Sequence, residues 1–158
     1  MSIITLDQAD RLIDAILKRG AEQQLRPLAV IVVEPGCKVK AFKKEDGASM
    51  IRFEMTFGKC YAALALGRSS KLIKVRRAEK PAFMEYLDNA SDHQIFDEGG
   101  GQLIRNEQGE IIGAVGVTGD TEEMDDVLAL YGIRAVGLKT DDDFTGLGRR
   151  SSVRLTNK

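Results

Sequence analysis

Lys59 stands midway along an amphipathic stretch, between Gly58 and Cys60 and within one helical turn of Met55 and Ala62. Its ammonium would therefore border an apolar core. A lysine in that setting could pair with an anion, or, with its pKa lowered, attack a carbonyl as a Schiff-base nucleophile. It could equally be a lysine whose stem packs on apolar surface while its head reaches water. Arg52, seven residues earlier, falls on roughly the same helical face. Its guanidinium could grip a carboxylate through two parallel N–H donors, or serve an ordinary surface ion pair. Three glycine-bearing loops accompany this pair: Asp46-Gly47-Ala48, Gly99-Gly100-Gly101 and Thr118-Gly119-Asp120. The first is expected at the start of a second helix and the third at the start of the last one. Helix N-termini present unpaired N–H groups and the positive end of the dipole, so such loops could hold a carboxylate or phosphate if the fold gathers them. Glycine also serves tight turns between packed elements, and Thr118 and Asp120 could be capping residues.

The remaining reactive side chains are few. His93, the one histidine, follows Ser91-Asp92 and precedes a short apolar segment. It could act as a general base or an iron ligand, or sit solvated in a loop. Cys37 lies in a turn after Pro35-Gly36 and Cys60 on the apolar side of the second helix. Their spacing makes neither a metal site nor a redox pair, and a reducing compartment leaves both as thiols. Either could ligate haem only as a thiolate beside positive charge. Glu122, Glu123, Asp125 and Asp126 form an acidic helix start, but adjacent helical residues point apart and do not converge on one ion. The nucleotide fingerprints G-x-G-x-x-G and G-x-x-x-x-G-K-[ST] are both missing. Arg68 to Lys80 carries six basic residues without interleaved aromatics, which reads as a solvated helical face and not a nucleic-acid surface.

These residues must be placed by one core, since 158 residues make one ordinary domain. A charge of −1 with 43% hydrophobic residues fits a soluble protein, and neither a membrane-spanning run nor a signal-peptide order is present. The expected setting is cytoplasmic. Thr5 with Gln8 reads as a capping box opening helix 1 from Leu6 to about Gln24. Leu28 to Val33 is a buried strand with Lys38 to Lys43 as its hairpin partner. Helix 2 is expected from Asp46 to Leu66, then a broken helical segment over 67–90 with a cap at Ser69 or Ser70 and Pro81 in a first turn. Gln94 to Phe96, Leu103 to Asn106 and Glu110 to Thr118 read as strands, and Thr121 caps the last helix. Local hairpins imply an α+β domain over residues 1–138 with a mainly antiparallel, five-stranded sheet. From Lys139 to Lys158 the composition turns polar and reads as a flexible tail.

The order of these pieces resembles the GlcG/HbpS-like haem-binding family, which includes the C-terminal domain of PduO-type proteins. The resemblance is carried by Ala41-Phe42 running into Asp46-Gly47-Ala48, Gly58-Lys59-Cys60-Tyr61-Ala62-Ala63, Gly99-Gly100-Gly101, Gly113 through Gly119, and Asp125-Asp126. It spans about residues 3–138. It implies a profilin-like α/β/α sandwich, assembly into homo-oligomers, and a bound haem or corrinoid in some members. In the haem-binding members an axial histidine is associated with the first helix, and here that helix carries none.

The chain is thus expected to bind a small, anionic molecule, such as haem, a corrinoid or another carboxylate-bearing ligand. Arg52, Lys59 and the three glycine loops would hold it, with no membrane or nucleic-acid partner. An enzyme acting on a small organic acid through Lys59, and a purely structural oligomer, are the alternatives.

Overall fold

The computed structural model describes residues 2–144. Helix α1 (Leu6–Glu22) begins at the expected capping box: Thr5 Oγ1 accepts the Gln8 N–H at 3.1 Å, and the Thr5 N–H donates to Gln8 Oε1 at 3.0 Å. Its apolar face, Ala9, Leu12, Ile13 and Ile16, is fully buried. Strands β1 (Ala29–Val33) and β2 (Val39–Lys44) form the hairpin. Helices α2 (Arg52–Leu66), α3 (Ser70–Glu79) and α4 (Pro81–Ala90) follow. Strands β3 (Gly101–Arg105) and β4 (Ile111–Thr118) make the second hairpin, and α5 (Glu122–Ala135) starts from a Thr121 cap.

The strands form one antiparallel sheet in the order β2-β1-β4-β3. Val30, Val32, Val115 and Val117 face α1 and α5, while Ile31, Val33, Leu103 and Ala114 face α2. With both faces covered, β1 is an unbroken apolar run in place of an alternating one, because neither side meets water. A satellite cluster of Ala62, Ile73 and Met84 ties α3 and α4 to the outside of α2. The α+β class and the antiparallel sheet agree with the sequence reading.

The sheet has four strands among the described residues, and the fifth expected at Gln94 to Phe96 is not one of them. Asp92 and His93 both take φ of 58°, so the chain leaves α4 in a kink that no strand can begin from. Phe96 then donates its N–H to the Gly58 carbonyl of α2 at 3.2 Å, which holds the segment against that helix. The outer edge of β3 is closed at Arg105 by an antiparallel bridge to Lys139.

Helix α2 starts later than expected. Its first residue is Arg52, after a turn through Ser49 and Ile51, so Asp46-Gly47-Ala48 lies outside the helix N-terminus. The packed chain also runs past residue 138. Thr140 is buried, Asp141–Asp143 form a 3-10 turn, and Asp141 accepts from Arg105 Nε at 2.6 Å. The basic residues Arg149, Arg150, Arg154 and Lys158 of the expected tail lie outside the described residues. No helix among the described residues is long and apolar enough to cross a membrane.

Candidate functional site

The sheet register assembles the site. Ala29 pairs with both Lys44 and Thr118, and Gly101 pairs with Gly116. The end of the sheet where β1 and β3 begin is therefore the end where β2 and β4 finish. All three glycine loops lie at that end, but β2 and β3 are the two edge strands, so the Asp46–Ala48 and Gly99–Gly101 loops stand three strand positions, about 14 Å, apart, with the Thr118–Asp120 corner between them. Gly119 has φ of +137°, and any side chain on it would run into the Pro27 carbonyl. Gly47, at φ +83°, faces the ring of the same proline. The Thr121 N–H holds the Asp120 carboxyl below the usual range, helped by Arg26, whose N–H it accepts at 3.2 Å and whose Nε lies 3.5 Å away.

Helix α2 lies directly on this end of the sheet. A Cβ on Gly116 would collide with the Thr56 carbonyl, and one on Gly101 with the Lys59 carbonyl. Two strand glycines thus let the helix backbone approach closely, and the side chain of Lys59 is drawn inside. Lys59 is 1% exposed. Its Nζ donates to the Val117 carbonyl at 2.8 Å and to Asp125 Oδ2 at 3.4 Å, under the Phe96 ring at 5.9 Å. Asp125 Oδ1 accepts the Asp120 N–H at 3.1 Å, and Val117 donates to the Gly100 carbonyl at 2.9 Å. Lys59 thereby ties the Gly99–Gly101 loop to the Thr118–Asp120 corner.

Burial lowers the pKa of Lys59 against the pull of Asp125, and burial raises that of Asp125 against the pull of Lys59. The side chain neither snorkels nor lines an open pocket. Its ammonium is already spent on Val117 and Asp125, so the geometry lends no support to a Schiff-base role.

Arg52 reaches the same corner from the first turn of α2. Its Nη1 donates to Thr118 Oγ1 at 3.3 Å, a long contact, and to the Met55 sulfur at 3.4 Å. Its Nε is shielded from solvent and donates to nothing. It forms no ion pair with a carboxylate among the described residues. Arg52 is a further cause depressing Lys59, after burial. Asp120 pairs with Arg26 and Asp125 with Lys59, which leaves Arg52 as the cation there without an acid partner among the described residues.

The other sequence candidates fall elsewhere. His93 is exposed beyond α4, its N–H donating to the Asp88 carbonyl at 2.7 Å. Cys37 sits in the β1–β2 turn at the opposite end of the sheet, with its thiol pushed up by burial to about 11. Cys60 is fully buried, and burial raises its thiol too. Cys37 should react with a disulfide reagent at pH 8 about tenfold more slowly in the folded protein than in urea, because the scarcity of its thiolate outweighs the greater nucleophilicity of a more basic sulfur. Equal rates by thiol titration would contradict that assignment. Much of the basic strip is spent internally: Lys74 pairs with Glu122 at 2.8 Å and Arg77 with Asp88 and Asp97 at 2.8 and 2.9 Å.

Asp125 is the residue that sequence reasoning did not put in the site. Its neighbours Glu122, Glu123 and Asp126 made it look like one of several dipole-complementing acids. The signal that could have found it is the lysine itself, since a buried ammonium requires an acid within reach. Gln102 and Asp126, which share a buried 2.7 Å hydrogen bond, were missed for the same reason.

Comparison with known proteins gives a consistent picture. An uncharacterised 15.0 kDa protein from the dhaT–dhaS intergenic region of Citrobacter freundii is 30% identical over 131 residues, covering 82% of this chain and 89% of the relative. The crystal structure of the Klebsiella pneumoniae protein ORFY matches with TM-score 0.77 at 26% identity, over 86% of this chain and 92% of that one. A complex of PduOC with heme has the same fold, with TM-score 0.78 at 20% identity over 87% of this chain and 98% of that one. The model of the haem degrading protein HbpS-like family matches residues 4–134, and the chain belongs to that family.

Proposed function

We propose that this chain is a small-molecule binding protein whose ligand presents a carboxylate to Arg52 at the glycine-lined end of the sheet. Haem and corrinoids are the leading candidates, given the heme complex of a protein with this fold. The observation that carries the reading is the shielded, unpartnered Nε of Arg52. A buried donor without an acceptor costs about 1–3 kcal/mol, which a ligand carboxylate would recover once a swing of the Arg52 side chain brings Nε to the surface. Gly99, Gly100, Gly101 and Gly119 let backbone pack closely around the corner, while Gly47, Thr118 and Asp120 border it. Lys59 stands behind the site as the group that sets its shape.

The residues fit the acidic edge of a tetrapyrrole better than its metal. A propionate could take the guanidinium of Arg52, whereas helix α1 carries no histidine, Cys37 lies at the other end of the sheet and Cys60 is fully buried. Action in a homo-oligomer and a cytoplasmic setting complete the reading. Light scattering checks the first, and a monomer at high concentration would remove it.

Titration with haem, followed by the Soret band, should give saturable binding that Arg52→Gln weakens roughly 10- to 100-fold, the value of a charged hydrogen-bonded contact. An unchanged affinity in that variant would exclude Arg52 from the site. With no saturable change at micromolar haem, the tetrapyrrole version falls.

A further inference from the structure

The imidazole and thiol donors this chain could offer a haem iron are placed away from the corner at Arg52, where the side chains at hand are the exposed thioether of Met50 and the hard oxygens of Asp46, Thr118 and Asp120. The single histidine, His93, is exposed beyond α4, beside the Arg77–Asp88–Asp97 cluster. Cys37 lies at the far end of β1, roughly 15 Å along a five-residue strand. Cys60 is fully enclosed. Both thiols are held in the protonated form, which binds metals poorly. The Met55 thioether beside Arg52 already accepts from its guanidinium. Residues 145–158 contain no histidine, cysteine, methionine or tyrosine.

Against that stands one strongly placed recognition group. Arg52 has a shielded Nε without an acceptor, neutral partners only for Nη1 in Met55 and Thr118, and no ion pair with an acid among the described residues. We infer that this chain recognises its ligand through a carboxylate and not through a metal, so that a metal-free carboxylate ligand binds as well as its metal-loaded counterpart. This rests on the binding function proposed above and narrows it. The ligand class becomes carboxylate-bearing molecules, metallated or not, with the bound metal left with whatever axial ligand solvent supplies.

The test compares haem with metal-free protoporphyrin, which carries the same two propionates. Both are titrated into the wild-type protein, Arg52→Gln and His93→Ala, followed by Soret absorption and porphyrin fluorescence. The inference expects wild-type affinities for the two within about threefold, both weakened at least tenfold by Arg52→Gln. His93→Ala should leave both unchanged. Haem binding more than tenfold tighter than the metal-free porphyrin would overturn it, as would a loss of haem affinity in His93→Ala. If Arg52→Gln still weakens haem in that case, the binding function stands and the inference alone falls. If neither porphyrin binds the wild-type protein, both fall together.

Discussion

Replacing Lys59 with methionine is expected to cost about 3–5 kcal/mol of folding stability, because Asp125 then stays buried without its cation. The wild-type pair is itself held at a cost. The folded pKa of Asp125 is raised, so the stability linked to it is present at low pH and is lost as pH rises through that value. The folded pKa of Lys59 is lowered, so its linked stability is present at high pH and is lost as pH falls through that value. Between the two values both ions are charged and desolvated. In Lys59→Met the acid loses its partner and its pKa climbs further, so mild acidification below pH 7 should raise the urea midpoint of the variant relative to wild type. The double variant Lys59→Met/Asp125→Asn removes the buried charge while an amide oxygen can still accept the Asp120 N–H. It should recover at least about 1.5 kcal/mol. A single variant within about 1 kcal/mol of wild type by urea denaturation, or a double variant no better than the single, would contradict this account of the pair.

The second large effect is expected at the helix–sheet contact. A methyl group added at Gly116 meets the Thr56 carbonyl, and one added at Gly101 meets the Lys59 carbonyl and comes within 2.8 Å of Ser70 Oγ. Neither obstacle is a flexible side-chain end that can swing aside: one is helix backbone, the other a hydroxyl fixed by the Gly101 N–H at 2.8 Å. Helix α2 would have to lift from the sheet and take Lys59 and Arg52 with it. Each alanine should lower stability by about 2–3 kcal/mol, the upper range for overpacking, or roughly 5–10 °C in melting temperature. Gly36, which has nothing within 4 Å of its Cβ position, is the matched control and should tolerate alanine. Equal melting temperatures for Gly116→Ala and Gly36→Ala would show that α2 does not sit as described.

The parts of this fold that could be read from sequence are those whose signals are local. Thr5 and Gln8 announce α1, Pro81 stands in the first turn of α4, and Thr121 caps α5. The start of α2 was misplaced because Asp46-Gly47 resembles a helix opening, whereas the residue at the real start, Ile51, makes no side-chain cap hydrogen bond. Gln94 to Phe96 looked like a strand by residue type. Two consecutive non-glycine residues at positive φ, Asp92 and His93, set its course in a way that no periodicity reveals.

The site itself was half legible. Lys59, Arg52 and the glycine loops could be singled out by type and spacing, but which of them come together depends on the order β2-β1-β4-β3, which joins Lys59, Gly99–Gly101 and Thr118–Asp120 and leaves Gly47 at the far edge. That order is a non-local pairing. The Lys59–Asp125 contact, 66 residues apart, follows from it and from two strand glycines that admit the helix. Charge pattern pointed to Asp125 no more than to its neighbours.

The central claim is that Arg52 receives a ligand carboxylate. The most direct measurement compares the affinity of the wild-type protein and Arg52→Gln for haem and for haem dimethyl ester, whose propionates are blocked. The account predicts at least a tenfold loss on esterification in the wild-type protein and almost none in the variant, a coupling of about 1.4 kcal/mol or more. Equal affinities of the wild-type protein for the free acid and the ester would contradict it.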